Sequence, residues 1–143
     1  MSNIWFIGDI HAGHKNVHKF RKQFNSEEEH YQHVKTNFHK VVKKRDKVFF
    51  MGDTAFTLER LQDISTWVCG RKVLICGNHD TDSLPMKVLC EYFDEVYSLY
   101  KWHEFWLSHC PIHPEELRGK LNVHGHCHYA TLNDKRYFNT SLE

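Results

Sequence analysis

The chain alternates short, unbroken apolar runs with longer stretches in which apolar residues recur every three or four positions. Asn3-Ile4-Trp5-Phe6-Ile7-Gly8, Lys47-Val48-Phe49-Phe50-Met51-Gly52 and Lys72-Val73-Leu74-Ile75-Cys76-Gly77 are of the first kind. Each is too short for a helix, is rich in β-branched and aromatic residues and closes on glycine, so each predicts a buried strand that ends in a sharp turn. Between them the spacing predicts helices. Ser26 and Glu29 make a capping box, and Tyr31, Val34, Phe38, Val41 and Val42 then share one face. The acidic first turn and the basic end, Lys40, Lys43, Lys44 and Arg45, suit the helix dipole, so that basic run reads as a solvated helix end. Thr57 to Val68 predicts a second helix with Leu58, Leu61, Ile64 and Val68 inward and Gly70 as its stop. Ala12 to Phe24 reads as loop and a short helix, and another short helix is expected from Ser83 and Pro85 to about Tyr92.

Beyond residue 95 the pattern changes to strands lying close together. Val96 to Tyr100 and Phe105 to Leu107 predict a hairpin around Lys101-Trp102-His103-Glu104. Leu121 to Gly125 predicts another strand, and Tyr129 to Leu132 with Arg136 to Ser141 a last hairpin around Asn133-Asp134. No linker or repeat interrupts this, so residues 1–143 are expected to form a single α/β domain.

Composition alters this picture little. Hydrophobic residues at 41% and charged residues at 26% are ordinary globular values, and a net charge of +1 gives no sequence-wide pull toward nucleic acid or membrane. The opening apolar run is too short for a leader or a membrane span. Five cysteines, an odd number with no CxxC pair, read as free thiols, and a cytoplasmic location is expected. Histidine is the exception. Thirteen of them, with no tag-like run, call for metal binding or proton transfer.

The placement of the histidines sharpens that reading. Five short strands each end in candidate ligands: Asp9 and His11, Asp53, Asn78, His109, and His126 with His128. An imidazole-rich set with only two carboxylates does not suit calcium and suits manganese, iron, zinc, cobalt or nickel. If Asp53 bridges two ions, its oxygens and the other six side chains leave each ion an open position for a bridging hydroxide and a phosphoryl oxygen. The carboxylates and hydroxide do not cancel the ionic charge, and the excess favours a phosphate. His79 is then free to protonate a leaving oxygen, with Asp80 expected to hold its ring. Cys127 is expected to point away from its flanking histidines.

Asp9-x-His11, Gly52-Asp53, Gly77-Asn78-His79-Asp80, His109 and Gly125-His126-x-His128 resemble the five ordered motifs of the calcineurin-like metallophosphoesterases. Gly8 to Val17, with His14 and Asn16, and the ending Phe138 to Glu143 are similar to a small subgroup frequent in bacteria and phages. The resemblance implies a four-layer α/β/β/α sandwich of two mixed sheets with a binuclear site at the strand ends. It implies one ion on Asp9, His11, Asp53 and His128 and a second on Asp53, Asn78, His109 and His126, manganese being the first expectation. His79 would be the acid or transition-state stabiliser. The helix opening at Ser26 fills the interval between the first two motifs and is expected beside the mouth of the site. The end of the chain at Glu143 predicts a short second sheet, no cap and an open pocket.

The expected activity is that of a metal-dependent phosphodiesterase, active also on monoesters, with small nucleotides or cyclic nucleotides as substrates and His14, Asn16, His113 and His124 as candidate substrate contacts. A nuclease is the variant reading, with Lys15, Lys19, Arg21, Lys22 and Arg118 as the only candidate basic track. A non-catalytic protein-binding scaffold on the same fold is the alternative class, its surface offered by Trp102, Phe105 and Trp106. A purely structural zinc site fails for want of paired cysteines.

Overall fold

The computed structural model describes residues 1–143. The first sheet is built from β1 (Ile4–Ile7), β2 (Lys47–Phe50), β3 (Arg71–Ile75) and β4 (Glu95–Tyr97), side by side in that order. All its pairings are parallel, so it is not the mixed sheet the resemblance implied. Parallel neighbours require crossover connections, and the helices supply them: α1 (Val17–Phe20), α2 (Glu27–Val41), α3 (Leu58–Ser65), α4 (Asn78–Ser83) and α5 (Met86–Tyr92). The second sheet is mixed. It holds β5 (Leu99–Trp102), β6 (Phe105–Ser108), β7 (Leu121–His124) and β8 (Tyr137–Asn139), with β5 antiparallel to β6 and the others parallel.

Strand alternation divides the first sheet's side chains between two cores. Val48, Phe50 and Leu74 face the helices, where they meet Tyr31, Phe38, Leu61, Ile64, Trp67 and Leu89. Phe49, Met51, Val73 and Ile75 face the second sheet and pack against Leu107, Val123, Tyr100, Trp102 and Phe105. The molecule is therefore the expected α/β sandwich of two stacked sheets, except that no α-helix follows β4: in place of the fourth layer only the 3-10 turn Pro114–Leu117 meets the outer face of the second sheet, its Leu117 carbonyl accepting from the Trp106 indole. Trp102 and Phe105 lie within the inter-sheet core, so they do not form a free scaffold surface. No helix is long and apolar enough to cross a membrane.

Several local expectations give way to tertiary structure. The run 96–100 is not one hairpin arm, because the chain leaves the first sheet after Tyr97 and enters the second at Leu99, leaving only His103 and Glu104 as the turn between β5 and β6. The last hairpin does not form. Residues 129–132 hold no strand, and β8 runs parallel to β7, which requires the intervening segment as a return path. Helix α3 stops at Ser65, where the Ser65 and Thr66 hydroxyls take the Gln62 and Asp63 carbonyls. Trp67 then turns inward and its indole donates to Asp63, which leaves Leu58 and Val68 exposed. On α2, Tyr31, Val34 and Phe38 are buried and Val41 is not.

Candidate metal centre

The loops after β1, β2, β6 and β7 converge at one end of the stacked sheets, joined by the N-terminus of α4. Their backbones are bent in an unusual way. Asp9, His11, Asp53, His126 and His128 all have positive φ, between 50 and 67°. A residue with a Cβ pays for that conformation, and its recurrence at five of the seven expected ligands marks a geometry imposed by what the side chains must face. Two glycines make room for it. At Gly52, where φ is +92°, a Cβ would come within 2.2 Å of the His109 ring, and at Gly77 within 2.3 Å of the Asp53 carboxylate.

Asp9 is wholly buried. Its Oδ2 accepts from the His126 backbone N–H at 2.8 Å and from the Ser141 hydroxyl at 2.7 Å. Its Oδ1 has no partner, nor has His11 Nε2, which stands 3.6 Å from it. His128 Nε2 is 3.7 Å from the same Oδ1. Its Nδ1 is 2.8 Å from the Glu143 carboxylate, which can only accept, so the ring proton is on Nδ1 and Nε2 turns its lone pair inward. The same logic holds at His109, whose Nδ1 donates to the Met51 carbonyl at 2.8 Å, leaving Nε2 3.2 Å from Asp53 Oδ2. Lone pairs thus face lone pairs, the arrangement a cation resolves. Asp9, His11 and His128 form one group able to hold an ion, and Asp9, Asp53 and His109 another; His126 joins His109 and Cys110 in a third, its Nδ1 3.3 Å from His109 Nε2. The residues fit divalent ions with nitrogen and oxygen ligands.

The electrostatics agree. Burial works against a charge on Asp9, but the nearby His11 ring and the hydrogen bond from Ser141 hold its carboxyl down at about 2. Burial likewise works against a charge on His109, and the Asp53 carboxylate outweighs it, raising its pKa. A field that favours a proton between these groups favours a divalent cation there.

Other expected site residues are distributed differently. Asn78 is exposed at the start of α4. His79 is half exposed, with its ring 5.1 Å from Phe56 and 5.9 Å from His11. Asp80 does not hold that ring. Its buried carboxylate accepts instead from the backbone N–H groups of Asp53, Thr54 and Gly77, each at 2.8 Å, tying the ends of β2 and β3 together, and burial pushes its pKa up. Three backbone donors at hydrogen-bond range outcompete an imidazole on the neighbouring residue, whose closest carboxylate is Asp82 at 3.9 Å. His14 lies in the cleft beside His11 and His79, and its Nδ1 accepts the Asn16 N–H. Asn16 itself is exposed at the start of α1 and does not line the cleft. His113 caps the 3-10 turn by accepting from Glu115, and His124 is buried with Nδ1 on the Gly125 carbonyl, so neither reaches the cleft.

Three residues that were not expected as positioning groups complete the centre. Ser141 positions Asp9, and Glu143 positions His128. Arg21, 4% exposed, donates to the Asp9 and Ile10 carbonyls and pairs with Glu143 at 2.8 Å, so it is scaffold rather than part of a basic track. Helix α2 is set behind the mouth: its Glu27 takes the Gly13 N–H and the Arg60 guanidinium, while α1 lines the cleft itself.

A family model for calcineurin-like phosphoesterases matches residues 2–143. An uncharacterized protein of Methanocaldococcus jannaschii is 29% identical over 156 aligned positions that cover 100% of this chain and 83% of that one. The gene 66 protein of Mycobacterium phage L5 is 38% identical over 85 residues, 56% of this chain and 41% of the phage protein, so the match spans about two fifths of that relative's length. A crystal structure of a protein of unknown function from Aquifex aeolicus superimposes with a TM-score of 0.74 at 26% identity, covering 97% of this chain and 89% of that one. The chain belongs to the calcineurin-like phosphoesterases, a metal-dependent family.

Proposed function

We propose that the protein is a metal-dependent phosphodiesterase, with monoesters as secondary substrates, acting on small nucleotide-type molecules. The observation that supports this most is the buried pair of unpartnered atoms, Asp9 Oδ1 and His11 Nε2, facing the inward lone pair of His128. Asp9, His11, Asp53 and His128 would hold one divalent ion and Asp53, Asn78, His109 and His126 a second. Manganese is the first candidate, and iron, zinc, nickel and cobalt suit the same ligands. When bound, such ions supply Lewis acidity toward a phosphoryl oxygen and lower the pKa of water.

The chain's own groups do the rest. His79 stands half exposed beside His11 at the cleft, where its ring can hand a proton to a leaving oxygen. Asp80 keeps the loop carrying Asp53 and the start of α4 in register through its three backbone contacts. Lys19 and Lys22, exposed on the cleft wall, offer charge to the substrate phosphate and are also what favours a nuclease reading, under which binding would weaken steeply with salt. The five unpaired cysteines fit a cytoplasmic setting.

The deciding experiment is hydrolysis of bis-p-nitrophenyl phosphate against p-nitrophenyl phosphate by metal-stripped protein, with manganese, nickel, cobalt, zinc or magnesium restored in turn. Metal-dependent cleavage with preference for the diester is expected, and no turnover with any metal would defeat the proposal. His79→Ala should keep its metal content and lose about 10²–10⁴-fold in turnover, the usual contribution of a proton-transfer group. Asp53→Asn should lose the metal itself. Loss of metal from His79→Ala would show that this division of roles is wrong.

A further inference from the structure

Two of the most exposed large side chains of the molecule stand in one cleft. Phe20, the last residue of α1, and Tyr129, next to His128, are both 71% exposed and both line the opening of about 550 Å³ that also holds His11, His14, His79 and His128. Exposed aromatic rings forgo the burial that usually retains them in a sequence, and two in one cleft call for a flat apolar partner. Phe20 is also braced. Its ring meets His14 edge-on at 5.9 Å and 70°, and His14 meets Phe56 edge-on at 4.9 Å and 88°; Phe56 in turn lies 5.1 Å from His79. An aromatic wall thus leads from the cleft mouth to the metal centre. Tyr129 follows His128 directly in the chain, and Lys19 and Lys22, both exposed, lie on either side of Phe20 in the same cleft lining.

We propose that Phe20 and Tyr129 are the specificity-determining residues of the cleft, gripping a nucleobase by stacking while its phosphodiester lies at the metal centre. This rests on the phosphodiesterase reading and adds which part of the substrate is recognised. Stacking serves any base, because every base has a π-face, so the site selects for a base without selecting among bases. Lys19 and Lys22 then meet the phosphates that flank it.

The test compares thymidine 5′-p-nitrophenyl phosphate with methyl p-nitrophenyl phosphate, which share a leaving group and differ in the base. Phe20→Ala and Tyr129→Ala replace exposed side chains and should leave the melting temperature unchanged. Each should lose about tenfold in kcat/KM on the nucleoside ester, mainly through KM, and little on the methyl ester; Tyr129→Phe should restore the wild-type preference. Equal losses on both esters, or none on either, would overturn the assignment. Calorimetric binding of AMP against ribose 5-phosphate gives a readout independent of turnover: the wild type should bind AMP more tightly, and both alanine variants should erase the difference. If the wild type hydrolyses neither ester, the phosphodiesterase reading fails while the calorimetry still decides the clamp, and equal binding of AMP and ribose 5-phosphate would refute it. A single-stranded oligothymidylate bound more tightly than TMP, with steep salt dependence, would uphold the clamp with a strand as its source, and equal binding would uphold it with a free nucleotide.

Discussion

At the scale of single residues, the candidate ligands were legible because each stands at the end of an apolar run, and the residues that position them were not. Asp9, His11, Asp53, His109, His126 and His128 fall into overlapping groups that could hold an ion, while Asn78 stays exposed. Glu143 and Ser141 could not be tied to them from spacing alone, since Ser141 lies 132 positions from the Asp9 it serves. Asp80 shows the opposite failure, because adjacency to His79 suggested a partner that three backbone amides claim first. A carboxylate behind a metal-binding imidazole keeps the ring in the right tautomer and raises its basicity. Glu143→Gln should therefore weaken metal affinity about 10–100-fold, measured by competitive chelator titration, together with some loss of stability because it removes the carboxylate paired with buried Arg21. Unaltered affinity would mean that the contact between Glu143 and His128 merely decorates the site.

At the scale of elements, the three strands closed by glycine were readable because a parallel strand buried on both faces is a continuous apolar run. What pairs with what in the second sheet was not, because β8 joins β7 across a long return, and because one residue, Ser98, separates β4 in the first sheet from β5 in the second. Residues 78–83 carry turn chemistry yet form α4, whose first backbone N–H groups gather around carboxylates: His79 N–H donates to Asp53 and Gly77 N–H to Asp80. That junction tolerates no side chain at Gly77, where an added Cβ would lie 2.5 Å from the Asp53 backbone nitrogen as well as against its carboxylate. Gly77→Ala should cost about 1–3 kcal/mol in urea unfolding, the usual range for overpacking, and should impair metal binding together with it. A variant with native stability and native metal affinity would show that the junction is looser than its geometry indicates.

At the scale of the whole molecule, one buried histidine couples stability to pH. His30 on α2 is 1% exposed, and its Nε2 is 2.8 Å from Arg21, which can only donate, so the ring is neutral with its proton on Nδ1. Burial and the guanidinium push its pKa down to about 4. The unfolded ring takes up a proton near pH 6.5 and the folded ring does not, so stability is full above that pH, falls as pH drops, and levels off near 4. This group alone should remove about 2 kcal/mol between pH 7 and pH 5, visible in urea unfolding as a steeper pH dependence than that of His30→Asn. Equal slopes would refute the assignment. The contact between Ser141 and Asp9 carries a different consequence, for synthesis. While residue 141 is still inside the ribosome, a nascent chain can assemble the first sheet, but its Asp9 carboxylate still lacks the Ser141 hydroxyl. The candidate centre is therefore finished last, after the sheet whose edge carries it.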